Sequence, residues 1–381
     1  MYRKFLLVQV YLVSRLTGTQ IASSPATCYE PGTEAPTALH TTKTTMATKK
    51  QWDGSLHDLN RTPNMILGPT QRQQLSTEKD PDARTLPELL KLTFIWFVCT
   101  SLVLMLWFGE SPSELPSLFT DVLLFRRHPY GTQDMPAALA AIALTIPVLL
   151  VADFGVMHRV TSDSGARWFL LHAFGNFFVV VLGAPDMIYS FWQPLMAMST
   201  KYCVELHGAT YFAACSDWPK AIIVALHSYH ALAFRLSSED LFHHLLFVPV
   251  IAGFSFIQQF GSAGNVLAFF ISGLPGGVDY FLLGLVKMGK LRPIVEKRLN
   301  CSINTWLRAP GINVFCVLAL CAWVNPPKEA DPPAGWCFLP VVCLAYFNGQ
   351  YYAQRVVGNY YIRKTQHLNK KGVSKVDLHA S

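Results

Sequence analysis

The sequence predicts an all-α protein: a polytopic transmembrane helical bundle of seven or eight spans. Three observations carry that expectation. The 381 residues are 51% hydrophobic and only 14% charged, against about 25% Asp, Glu, Lys and Arg in soluble domains. The mean hydropathy is positive, at +0.28. The apolar residues also fall in runs near the roughly 20 residues a helix needs to cross about 30 Å of hydrocarbon. Ordinary Gly and Pro usage, 24 of each, sets aside collagen-like and low-complexity classes. The net charge of +7 belongs first to membrane topology, so no nucleic-acid partner is expected. Nine Cys without a C-x-x-C pair argue against a zinc ribbon or a disulfide scaffold.

Residues 1–90 hold most of the polar sequence, including the Thr- and Lys-rich run 41–50. With few aromatics and no apolar period they have little to offset ordering entropy, and are expected to be a largely disordered cytosolic region. Within them, basic Met1–Lys4, apolar Phe5–Val13 and small residues at 22–26 resemble a targeting segment over 1–26. An upstream extension with Met46 as the start is the alternative. The bundle is expected over 91–352, and a basic cytosolic tail over 353–381.

Candidate spans are Lys91–Phe108, Ala137–Phe154, Trp168–Gly183, Ala221–Phe234, Leu241–Phe260, Gly264–Val286, Ile312–Val324 and Trp336–Tyr352. The aromatic, Met-rich stretch Asp186–Thr200 reads as interfacial, re-entrant or a ninth span. Eight spans put both termini on one side. That side would hold Arg159, Arg167, Arg235, six basic residues between Lys287 and Arg308, and the tail; the other holds Arg126, Arg127, Lys201, Lys220 and Lys328. This bias places both termini in the cytosol. It also puts the sequons at Asn60 and Asn300 on the cytosolic face, unglycosylated.

Ionisable residues inside a membrane are functional candidates. The sharpest group lies in 225–244. His227 and His230 share one helix face, and Ser237 with Asp240 has capping-box spacing at the start of the next helix. His243 and His244 follow. At 1.5 Å per residue, His230 and His243 both lie roughly 9–10 Å inward from the turn, so four imidazoles can converge. The alternative is that they bond neighbouring carbonyls. In 270–287, Pro275-Gly276-Gly277 is expected to kink or break its helix. Asp279, just beyond, could face the histidines and orient one of them, or serve a Gly-rich packing seam. His172 and Asn176 can join the same interior. Asp153 and His158 read as a solvated span end, and Glu205 and His207 as loop residues beside Cys203 and Cys215, a pair that could form a disulfide if lumenal.

Membrane di-iron boxes, H-x-x-H-H and H-E-x-x-H are all absent, so no metal is assigned. There is no phosphate-binding Gly loop and no G-x-S-x-G elbow.

D-L-F-H-H, an apolar helix, and then D-Y-F-L-L-G-L-V-K-M resemble the TLC-domain family. That family includes ceramide synthases, translocon-associated membrane proteins and membrane-lipid regulators. On its pattern His243 and His244 match the His pair, Asp279 the acidic position and Lys287 the terminal Lys. Leu274-Pro275-Gly276-Gly277 stands where ceramide synthases carry His-Asp and a second Asp, so what the chain resembles is a divergent member of that family. The resemblance implies an endoplasmic-reticulum protein acting on membrane lipids, with acyl-CoA as co-substrate if it is an acyltransferase. The enzymatic expectation makes His243 or His244 a general base, His230 a relay and Asp279 an orienting group, with His227, His172, Asn176 and Lys287 lining the substrate site. A non-catalytic lipid binder or membrane-composition regulator is the alternative. A transporter would require an internal repeat, which is not evident. Self-association is left open.

Overall fold

The computed structural model describes residues 83–129, 134–192, 216–236, 238–257, 260–324 and 335–370. The targeting segment, Asn60, Glu205, His207, Cys203, Cys215 and Ser237 lie outside the described residues. Among the described residues regular structure is helical throughout, with one isolated antiparallel bridge between Ala83 and Phe234.

Helix α1 (Leu86–Phe108) opens where Glu88 accepts a hydrogen bond from the Thr85 N–H at 2.8 Å, and stops at Gly109, φ 72°. That left-handed conformation is unstrained only without a Cβ. Helix α2 (Leu115–Leu123) is short. Helix α3 (Met135–Val160) starts at Asp134, which caps Ala137 N–H at 3.1 Å and is itself held by Arg127 at 2.6 Å. Helix α4 (Ser164–Trp192) runs through Pro185, so the Asp186–Thr200 stretch begins inside the third span; beyond Trp192 it lies outside the described residues. Then come α5 (Trp218–Ala233), α6 (238–257), α7 (Gly261–Lys287), α8 (293–324) and α9 (Gly335–Lys370).

Five of these are long and apolar enough to cross a membrane: α1, α3, α4, α7 and α8, the last over Pro293–Cys321. Asp240–Phe256 is a shorter apolar helix. The outward faces carry large exposed apolar side chains such as Phe94, Leu106, Val151 and Ile188, the surface a lipid solvent tolerates and water does not.

Two expectations about helix boundaries are corrected. Pro275 does not break α7, which is continuous over 27 residues. A π turn at Phe269–Gly273 precedes the proline and widens the helix ahead of its ring. The Ile271 carbonyl, which Pro275 cannot serve in α register, accepts instead from Arg308 Nε at 3.2 Å. The second correction concerns 293–308, expected as loop. It is the first half of α8, with a π turn at Asn304–Arg308 ahead of Pro310. Asn300 is 4% exposed and bonded to Glu296 and Asn304.

The glycines of α7 have a packing role. A Cβ at Gly276 or Gly277 would stand 3.1 or 3.3 Å from Asn176, and one at Gly284 would stand 2.9 Å from Leu170. Small residues therefore let α7 lie close along α4, the usual device where lipid removes the hydrophobic drive between helices. One apolar core draws on α1–α5 and includes Leu104, Ile146, Leu171 and Leu226. A second draws on α6–α9, with Phe260, Phe315 and Phe338 at its centre.

Asp153, expected at a solvated boundary, is fully buried. Arg167 binds both its carboxylate oxygens at 2.9 Å, and the Tyr229 hydroxyl donates to it at 2.9 Å. The guanidinium also lies 5.1 Å from the Phe154 ring centroid. Arg167 was counted among loop charges; it is instead half of an internal ion pair tying α3, α4 and α5 together.

Candidate functional site

Five imidazoles meet between the two cores. His172 comes from α4, His227 and His230 from α5, His243 and His244 from α6. Ring centroids are 5.4 Å apart for His227–His243, 5.0 Å for His227–His244, 5.1 Å for His230–His244 and 5.4 Å for His172–His230. His172 and His230 are 3% and 2% exposed. The α5–α6 pair thus brings its four histidines into one group of ring contacts, and His172 completes the group from α4.

Their hydrogen bonds assign the tautomers. A carbonyl only accepts, so His227 Nδ1, 2.7 Å from the Ile223 oxygen, carries a proton. Its Nε2 is then an acceptor, and His243 Nε2–H donates to it at 3.3 Å. That leaves His243 Nδ1 to accept from the Tyr352 hydroxyl at 3.4 Å. His172 is held twice by Trp168: Nδ1–H donates to its carbonyl at 3.0 Å, and Nε2 accepts from the indole N–H at 3.3 Å. The remaining two rings differ. His230 packs with its centroid 4.0 Å from that of Trp168, and its buried Nε2 has no partner among the described residues. His244 touches three other imidazoles and makes no hydrogen bond through its ring among the described residues. Three imidazoles, His172, His227 and His243, are therefore locked by neighbours at both nitrogens, and two, His230 and His244, keep basic nitrogens available.

Asp279 does not face the imidazoles. It lies on the α8 side of α7 beside Glu296, Asn300 and Arg308, and its Oδ1 has no hydrogen-bond partner among the described residues. At that register the next residue, Tyr280, is the one turned to the cluster, 4.6 Å from His172. The orienting role expected of Asp279 is taken by the Ile223 and Trp168 carbonyls and the Tyr352 hydroxyl. Lys287 is also apart: it reaches Gly165, where a Cβ would stand 3.7 Å from its Nζ. It is two turns beyond Tyr280 and about 10 Å along the helix axis. Asn176 accepts from the Ser272 hydroxyl at 2.9 Å, which makes it part of the α4–α7 seam.

Sequence reasoning missed Trp168, Tyr280, Tyr352 and Arg308. Trp168 was detectable, standing one turn before His172. The others come from helices far along the chain and carry no local signal.

Beyond the rings the polar seam continues. Arg308 lies with its guanidinium carbon 5.0 Å from the Tyr352 ring centroid. It donates to Asn348 Oδ1 at 3.0 Å and Asn304 Oδ1 at 3.4 Å, besides the Ile271 carbonyl. Next to His243, an apolar cleft of about 400 Å³ opens between α6 and α9, lined by Leu246, Val250, Pro340, Cys343, Leu344 and Phe347. No group of three or more His, Cys, Asp or Glu side chains among the described residues is arranged to hold a metal ion. No family model, curated protein or solved structure matches the chain. Among the described residues the protein is helical, with five membrane-length apolar helices and a five-imidazole cluster.

Proposed function

We propose that this is a lipid-handling integral membrane protein, a divergent relative of the TLC-domain family, that transfers an acyl group within its helical bundle. The observation that carries the reading is the convergence of five buried or half-buried imidazoles beside an apolar cleft. His244 acts as general base, removing the proton from an amine or hydroxyl of the acceptor lipid, and His230 Nε2 relays it. The acceptor nitrogen or oxygen bonds to the acyl carbon, the carbon–sulfur bond of an acyl-CoA breaks, and the departing thiolate takes up the relayed proton. His227, Tyr352 and Trp168 position the remaining rings. The acyl-CoA donor rests on the family resemblance alone.

In this reading the bundle has seven or eight spans, with α5, α6 and α9 joining the five longer helices. Both termini are cytosolic and the organelle is the endoplasmic reticulum. Removing the internal Arg167, Arg308 and Lys220 from the charge comparison leaves the basic bias standing, which supports that orientation.

The test uses the full-length protein in detergent with acyl-CoA and long-chain bases. Turnover is expected, with His244→Ala and His230→Ala each lowering kcat by about 10²–10⁴. Activity that survives both substitutions refutes the assignment. Lipid that copurifies without any turnover identifies a binder or membrane-composition regulator built on the same cluster.

A further inference from the structure

We propose that Arg308 is an anion-binding residue: it takes the oxyanion headgroup, carboxylate or phosphate, of a single-chain lipid whose tail lies in the cleft between α6 and α9. Arg308 stands near the middle of the continuous helix Pro293–Cys321. Its three hydrogen bonds all go to neutral carbonyl oxygens, from Ile271, Asn304 and Asn348. A guanidinium has five N–H donors, so two are unused among the described residues. No carboxylate there forms an ion pair with it, in contrast to Arg167, Lys220 and Lys297, each of which has one. Asp279 is near enough to act on it electrostatically without pairing.

A charge held inside a membrane bundle without an ion-paired partner is costly, and a substrate anion lowers that cost. The planar fork of Arg suits a carboxylate or phosphate. One face of α9 supplies the rest. Leu344 lines the apolar cleft, Asn348 one turn on accepts from Arg308, and Tyr352 one turn further reaches His243. Tail, headgroup and imidazoles are thus met in that order along a single helix face.

The inference rests on the chamber being a lipid site, and a neutral lipid separates the two claims. Binding of oleate, oleoyl-lysophosphatidate and oleyl alcohol is measured on the full chain in detergent. Wild type is expected to bind one of the anions about tenfold more tightly than the alcohol; oleate assigns a carboxylate headgroup, lysophosphatidate a phosphate. Arg308→Gln is expected to abolish that preference and leave alcohol binding unchanged. Asn348→Asp keeps the arginine but supplies an internal carboxylate, and is expected to abolish the preference too, which decides the matter should Arg308→Gln not fold. Equal binding of all three lipids by wild type, or a preference that survives Asn348→Asp, overturns the inference and leaves the lipid site standing. Binding of none overturns both.

Discussion

Two internal arginines receive opposite treatment. Arg167 is 5% exposed, grips both oxygens of Asp153 and is flanked by Phe154 and Phe234. Arg308 binds three neutral oxygens and keeps N–H groups to spare beside the imidazole cluster. Both stood in the sequence as basic residues near span ends. The difference shows that a charge in a bundle is structural when the fold itself supplies its counter-ion. It becomes a candidate for function when the fold bonds it only to neutral oxygens and leaves the nearest carboxylate, Asp279 for Arg308, outside an ion pair.

The largest effect should come from breaking the sealed pair. Arg167→Met leaves Asp153 buried and uncompensated, and should cost about 3–5 kcal/mol, read as a fall in melting temperature in detergent. Replacing both partners by apolar residues should recover much of that loss; failure to recover would mean the pair fixes the helix register and not only charge balance. Next, Tyr229→Phe removes one bond to an ionised acceptor and should cost about 1.5–3 kcal/mol in the same melt. Smallest, Asn348→Ala removes one neutral acceptor from Arg308 and should cost about 0.6–1.7 kcal/mol, the scale of interhelical hydrogen bonds in membranes. A loss at Asn348 as large as that at Arg167 would erase the contrast.

Much of the imidazole cluster was legible in the chain, because its geometry is local. His227, His230, His243 and His244 belong to one helical hairpin, where a fixed rise per residue converts spacing from the turn into depth. His172 was legible only as a polar residue in an apolar run. Asp279 was misassigned because the rotation of α7 about its axis depends on how Gly276, Gly277 and Gly284 seat against Asn176 and Leu170, and no periodicity in α7 reports that. Pro275 misled for a related reason. The cost of a proline depends on whether another helix can serve the carbonyl it strands, and Arg308 does so from 37 residues away in sequence.

The amino-acid order by itself determined the all-helical membrane character and the hairpin that gathers four histidines, since both follow from composition and from contacts within one or two turns. Tertiary packing alone decided which ring nitrogens are engaged, that Tyr280 and not Asp279 faces them, and that one arginine is ion-paired while another bonds only to neutral oxygens. Those outcomes depend on how helices distant in the chain are rotated against one another, and that is set by shape complementarity across the whole bundle.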